Sequence, residues 1–139
     1  MVPEATSGHV TARFLVNAPP RGKDAVMFEA QMLFKGCTVY SPWFPRRGDN
    51  VIITLDFIAR SGTTVAVSLF TKNTEDPGDG GLVAGGPVIS TTSLTQTPYT
   101  QTGELLELVR YQFEVTGTNA YDWALFRMLP PVWFDTVKA

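Results

Sequence analysis

Cysteine and histidine are almost absent from this chain: Cys37 and His9 are the only ones. A single cysteine allows no intrachain disulfide, so stability has to come from packing, and Cys37 reads as a small buried apolar residue. With one histidine near the N-terminus and one thiol, neither a Ser-His-Asp triad nor a Cys-His pair is expected, and a zinc site lacks ligands. Charge is scarce as well, at 17% of residues with a net charge of −2. The basic residues are scattered, with Arg46-Arg47 the only adjacent pair, which excludes the clustered positive footprint of a nucleic-acid surface. No apolar run approaches the roughly 18 residues of a membrane span. The opening MVPEATSGHV has neither a basic region nor an apolar one, so no secretory signal is expected.

Catalytic and cofactor motifs are missing too. The glycine-rich stretch Asn73 to Pro87 lacks the Gly-Lys-Ser/Thr of a phosphate-binding loop. Asp76 and Asp79 offer oxygen ligands there, but their spacing matches no calcium loop, and a solvated surface loop is the preferred reading. Asp56, Glu107, Glu114 and Asp122 are carboxylates that nothing in the sequence pairs across a cleft. A non-enzymatic protein without cofactor is the expectation.

What the chain does contain is strand grammar. Its 139 residues, 44% of them apolar, fit one domain with a real core. The stretch from Asp49 to Thr71 organises the rest. Val51, Ile53, Leu55 and Phe57 fall on one face of a first arm, and Val65, Val67 and Leu69 on one face of a second. Alternation at period two around Ser61-Gly62 predicts a hairpin, with the first arm central because its second face is also largely apolar.

Read in order, residues 1–8 are a loose lead-in and His9 to Val16 a first strand. Val26 to Lys35 is a further strand on the alternation of Val26, Phe28 and Ala30, followed by the β-rich Cys37 to Tyr40. Ser41 to Gly48 is a loop whose prolines hold Trp43 and Phe44. The glycine-rich surface loop covers residues 73–87, and the Ser/Thr/Gln-rich Val88 to Gly103 suits an exposed edge strand. Glu104 to Thr116 ends in a clean alternation, with Val109, Tyr111, Phe113 and Val115 on one side; a short helix at Leu105 to Val109 is the alternative for its start. Tyr121 to Leu129 and Val132 to Val137 complete the strands. Short strands with hardly a helical window imply an all-β single-domain sandwich or jelly roll over residues 1–139.

The order of these segments carries a resemblance. Arg47-Gly48-Asp49 enters VIITLDFIARSGTTVAVSLF, and YQFEVTGT leads into YDWALFRML and VWFDTV. This is similar to the galactose-binding-like jelly rolls of carbohydrate-binding modules, over roughly residues 26–137. In that family a pro-gly turn introduces such a strand, and a phe-asp-asp-val strand closes the sheet. Arg47 stands here where the turn has proline, and Thr136 where the closing motif has its second Asp. Asp135 is the one match to the family's structural calcium site, so the metal expectation is none, with Asp135 the only candidate. The same fold serves in bacteriophage structural proteins, and fold alone does not choose between these uses.

Aromatics make up 12% of the chain, and they supply the candidate contact residues: Tyr40, Trp43, Phe44, Tyr99 and Trp133. Such rings stack on sugars and anchor protein interfaces. Trp43, Phe44 and Tyr99 are expected at the surface, although capping the sandwich end stays open for Trp43. Trp123, Tyr111 and Phe113, inside alternating strands, are expected in the core. Arg47-Gly48-Asp49 spells an integrin-binding tripeptide but reads as a turn with Gly48 at positive φ.

These readings point to a structural protein that associates with itself, as a dimer or trimer, and with a capsid or other protein shell. A virion component made in a host cytoplasm, such as a capsid decoration protein, is the expectation, with the Ser41–Gly48 loop and the Val88–Gly103 stretch as the contact surface. The alternative is a carbohydrate-binding module that recognises glycans through Trp43, Tyr99 or Trp133. Neither nucleic acid nor membrane is an expected partner.

Overall fold

The structure is a computed structural model that describes residues 30–136. The lead-in at 1–8, the strand expected over 9–16, the start of the strand expected over 26–35, and Val137 lie outside the described residues. Among the described residues the chain runs β1 (Gln31–Phe34), β2 (Thr38–Tyr40), β3 (Phe44–Pro45), β4 (Asn50–Ser61), β5 (Thr63–Lys72), β6 (Gly81–Leu82), a 3-10 turn (Val83–Gly85), β7 (Ile89–Thr91), β8 (Gln96–Thr102), β9 (Leu108–Gly117), β10 (Trp123–Met128) and β11 (Val132–Phe134). Every pairing between these strands is antiparallel, and they form two sheets packed face to face. The protein is an all-β sandwich.

β4 is the centre of the first sheet. β10 pairs with Leu55 to Ser61 and β11 with Asn50 to Ile52, while β8 runs along Asn50 to Asp56. β8 shares residues of β4 with both other partners, so it occupies the opposite edge. β1 lies beyond β10. In the second sheet β5 and β9 pair over their full length, from Thr63 opposite Gly117 to Lys72 opposite Leu108. β2 and β3 flank β9, and β6 and β7 flank β5.

The expected hairpin around Ser61-Gly62 does not form, because β4 and β5 belong to opposite sheets. Only Gly62, at φ +64, separates the two strands, fewer residues than the commonest hairpin loops contain. The neighbouring side chains are anchored on the first sheet instead: Ser61 Oγ donates to Asp122 Oδ1 (3.1 Å) and Thr63 Oγ1 to the Trp123 carbonyl (2.8 Å). The chain therefore crosses the core, and the two apolar faces read from the sequence look at each other rather than lying side by side. β1 to β2, β7 to β8 and β9 to β10 cross between sheets in the same way.

Alternation decides the core. Val51, Ile53, Leu55 and Phe57 from β4 meet Val65, Val67 and Leu69 from β5 and Val109, Tyr111, Phe113 and Val115 from β9, all buried. A chain of rings runs through it. Phe44 lies 5.3 Å from Tyr111, Tyr111 5.7 Å from Phe113, and Phe113 5.2 Å from Phe126 of the other sheet. Two buried hydroxyls are satisfied by backbone groups. Ser41 Oγ accepts the Tyr111 amide (2.9 Å), and Thr71 Oγ1 accepts the Leu106 amide (2.7 Å) while donating to the Leu108 carbonyl (2.9 Å).

Other expectations change in detail. Val88 to Gly103 is two strands, β7 in the second sheet and β8 at the edge of the first. Leu105 to Glu107 forms no helix, and Glu104 sits at φ 63. The Ser41–Gly48 loop contains β3, and the glycine-rich loop contains β6 and a turn whose Val83 is buried.

The Tyr111 hydroxyl is buried without a hydrogen-bond partner, and burial pushes its pKa up, so the phenol stays neutral. An unpaired buried hydroxyl costs free energy that phenylalanine avoids. Tyr111→Phe is expected to leave stability unchanged or raise it by up to about 1 kcal/mol in urea unfolding. A loss larger than that would reveal a partner for the hydroxyl.

Candidate functional site

The outward positions of the second sheet converge on Arg110. β9 places Arg110 opposite Phe70 of β5, which in turn pairs with Leu82 of β6. One step along, Gln112 pairs with both Ser68 and Tyr40, and its Nε2 donates to Tyr40 Oη at 2.8 Å. The Arg110 guanidinium lies 4.3 Å from the Tyr40 ring centroid, 4.7 Å from Trp43 and 5.6 Å from Phe70. Aromatic faces are electronegative and attract such a cation. Lys72 Nζ adds a second cation 4.9 Å from the Trp43 centroid. Asp79, from the glycine-rich loop, reaches Arg110 Nη2 at 3.1 Å, with the Arg110 side chain 13% exposed and that of Asp79 81% exposed.

Tyr40 and Trp43 are thus brought together, as half-buried rings around a cation. Phe44 departs from its expected surface position: it is 7% exposed and packs on Tyr111. The flanking prolines of its loop suggested exposure, but pairing of β3 with β9 turns the ring inward. Trp133 is half-buried, 6.5 Å from Phe44, and closes that end of the core. Tyr99 also packs partly against the core, and its Oη donates to Gln101 Oε1 at 2.6 Å. The five aromatic candidates therefore do not form one site. Arg110, Phe70 and Lys72 were not singled out by sequence reasoning. Alternation placed Arg110 on the outward side of β9, but no local signal told which strands would lie beside it.

Asp135 uses its carboxylate to accept the Asp49 amide (3.1 Å), while the Thr136 amide donates to Asp49 Oδ2 (3.4 Å). Asp76 Oδ2 accepts the Asn73 amide at 2.9 Å, and Asp79 is spent on Arg110. No group of three or more potential metal-ligating side chains occurs among the described residues. Gly48 is not at positive φ, contrary to expectation. It is required because an added Cβ would stand 3.0 Å from the Phe134 backbone, as β11 packs over the turn.

The outer face of the first sheet carries apolar side chains in register. Met32 of β1, the last strand on this side of the sheet among the described residues, pairs with Leu125 of β10, and Phe34 pairs with Trp123. Ile58 lies beside them, where β4 bulges opposite Leu125 and Phe126. Met32, Phe34 and Ile58 are 57%, 45% and 42% exposed. Trp123 was expected in the core. Its neighbour Ala124 takes the inward position, so Trp123 is half-buried on this outer face. In the described part of the strand expected over 26–35, Met32 and Phe34 are likewise turned outward, while Gln31 and Leu33 face in. Beyond the apolar strip, Arg127 Nε donates to Asp56 Oδ2 at 2.9 Å.

The four carboxylates considered as acids or bases are dispersed. Asp56 is paired with Arg127, Glu107 accepts the Thr74 amide (2.8 Å), and Glu114 is exposed. Asp122 is 4% exposed and ties the sheet crossings together. Its Oδ2 accepts the Asn119 amide (2.9 Å), its Oδ1 accepts Ser61 Oγ, and its carbonyl accepts the Lys35 amide (2.8 Å). The Asn119 amide is the largest influence holding its carboxyl below the usual value of 3.8. Ser61, the Thr118 amide and the Lys35 charge act in the same direction, against the opposing effect of burial. No described helix is long and apolar enough to cross a membrane. Comparison with protein-family models, with curated proteins and with solved structures returns no match to this chain.

Proposed function

We propose that this chain is a non-enzymatic assembly protein that associates with further copies of itself through the outer face of the first sheet. The observation that carries this reading is the strip of Met32, Phe34, Ile58, Trp123 and Leu125, adjacent by strand register and partly open to water. Contiguous exposed apolar surface of this kind marks interaction sites. A second copy is the occupant that the strip fits best. It borders both a cation and an anion, Arg127 and Asp56, so two copies related by a twofold axis can place unlike charges opposite each other.

A jelly-roll virion component such as a capsid decoration protein is the finer form of this reading, with association across a protein shell as its mechanism. The glycan-binding alternative has less support. Trp43 already stacks with two cations, Phe44 is buried, and Tyr99 and Trp133 pack against the core.

Light scattering behind size exclusion tests the proposal on the full chain at micromolar concentration. A closed dimer or trimer is expected, and Met32→Glu and Leu125→Glu are expected to convert it to monomer with thermal stability little changed. Burying one such side chain is worth about 1.5–3 kcal/mol, so each charge weakens association by about tenfold or more. A monomeric wild-type chain, or an oligomer indifferent to both substitutions, would overturn the assignment.

A further inference from the structure

We infer that the Arg110 cluster on the second sheet is a binding site for an acidic peptide segment of a partner protein, and that residues 76–79 occupy it as an internal stand-in. The loop is held as a bound peptide would be. Lys72 Nζ donates to the carbonyls of Asp76 (3.4 Å) and Gly78 (3.1 Å), and Arg110 Nη2 meets the Asp79 carboxylate (3.1 Å). Two main-chain carbonyls and one carboxylate on four consecutive residues are a peptide's groups, which favours a polypeptide over an acidic sugar. Tyr40, Trp43 and Phe70 fix the guanidinium against their rings, so the receptor half of the contact is preorganised.

The occupant is poorly held by comparison. The Asp79 side chain is 81% exposed, and it lies between Gly78 and Gly80, both at positive φ. An exposed ion pair of this kind contributes little net stability, so a carboxylate from outside can replace it. Exposed Leu82, paired to Phe70 at the edge of the cluster, offers an apolar contact for a residue flanking the incoming acid. This site lies on the sheet opposite the Met32–Leu125 strip, so it stands or falls independently of self-association.

The probe is a fluorescein-labelled peptide of residues 73–81, NTEDPGDGG, titrated with the full-length chain by fluorescence anisotropy. Asp79→Asn removes the competing carboxylate from an exposed loop and should leave the fold intact. A site partly filled by its own loop shows an apparent affinity below that of the vacated site, so Asp79→Asn is expected to bind about threefold or more tighter than the wild type. Adding Arg110→Gln should abolish binding. Arg110→Lys, which keeps the charge but loses the planar fork, should weaken it, and serves if the glutamine variant fails to fold. Absence of binding to Asp79→Asn, equal affinity for Asp79→Asn and wild type, or competition by polygalacturonate but not by unlabelled peptide would each overturn the inference.

Discussion

Replacing Phe113 by alanine is expected to cost about 3–5 kcal/mol of stability, the usual range for emptying a large aromatic position in a core. Phe113 is 2% exposed and joins the rings of the two sheets at the centre of the core. It stacks on Tyr111 of its own strand at 5.7 Å and on Phe126 of β10 at 5.2 Å. Truncation removes both ring contacts and leaves a void midway between the sheets, where rigid strands on either side cannot close it. A domain of ordinary stability has only about 5–15 kcal/mol in hand, so the variant is expected to melt roughly 10–20 °C lower or to be recovered unfolded. Phe113→Leu fills most of the space and should cost much less, about 1–2 kcal/mol. Equal losses for alanine and leucine would mean that ring stacking rather than volume governs this position. Little loss for either would remove Phe113 from the centre of the core.

The second large effect concerns the crossing between β4 and β5. Gly62 is at φ +64, where a side chain costs about 1–2 kcal/mol. An alanine Cβ there would also stand 2.9 Å from Asp122 Oδ2, forcing the carboxylate off the Asn119 amide and Ser61. Gly36 supplies the control. It sits at φ +86 with nothing within 4 Å of an added Cβ, so Gly36→Ala measures the backbone cost alone. Gly62→Ala is expected to lose clearly more stability than Gly36→Ala in urea unfolding. Equal losses would mean that Asp122 yields freely.

The same carboxylate sets a pH dependence. Its folded pKa lies below the unfolded 3.8, so the stability it contributes is fully present above about pH 4 and drains away as pH falls through the lowered value. Asp122→Asn should be less stable at neutral pH than the wild type, and the gap should narrow as both are acidified toward pH about 2. A gap that widened on acidification would mean that folding raises the Asp122 pKa instead of lowering it.

Much of this architecture was legible locally. The period-two pattern of β9 named Val109, Tyr111, Phe113 and Val115 as a core face, and all four are buried. β4 was read as central, and it has partners on both edges. Its partner was misread, because two alternating arms joined by a glycine-containing turn look the same whether they pair in one sheet or face each other across two. What separates these outcomes is distant in sequence. Asp122, some sixty residues from Gly62, anchors the turn on β10, and β9 takes up the whole length of β5.

Aromatic placement shows the same division. Phe44 and Trp43 are neighbours in one proline-bounded loop, yet Phe44 enters the core while Trp43 stays at the surface against Arg110. Met32 and Leu33 are both apolar, so alternation alone could not choose which faced water; pairing of β1 with β10 exposes Met32 and buries Leu33.

By itself the sequence determined the all-β class, the positions of the long strands β4, β5, β9 and β10, most of the core faces and the absence of any disulfide framework, because these follow from periodicity, turn residues and composition. Only the tertiary structure decided which strands share a sheet, which apolar face of β1 and β10 remains open, and that Arg110, Tyr40, Trp43 and Asp79 meet at one place. Those outcomes depend on pairing between segments far apart in the chain, and a strand's own residues specify its two faces but not the neighbour that covers them.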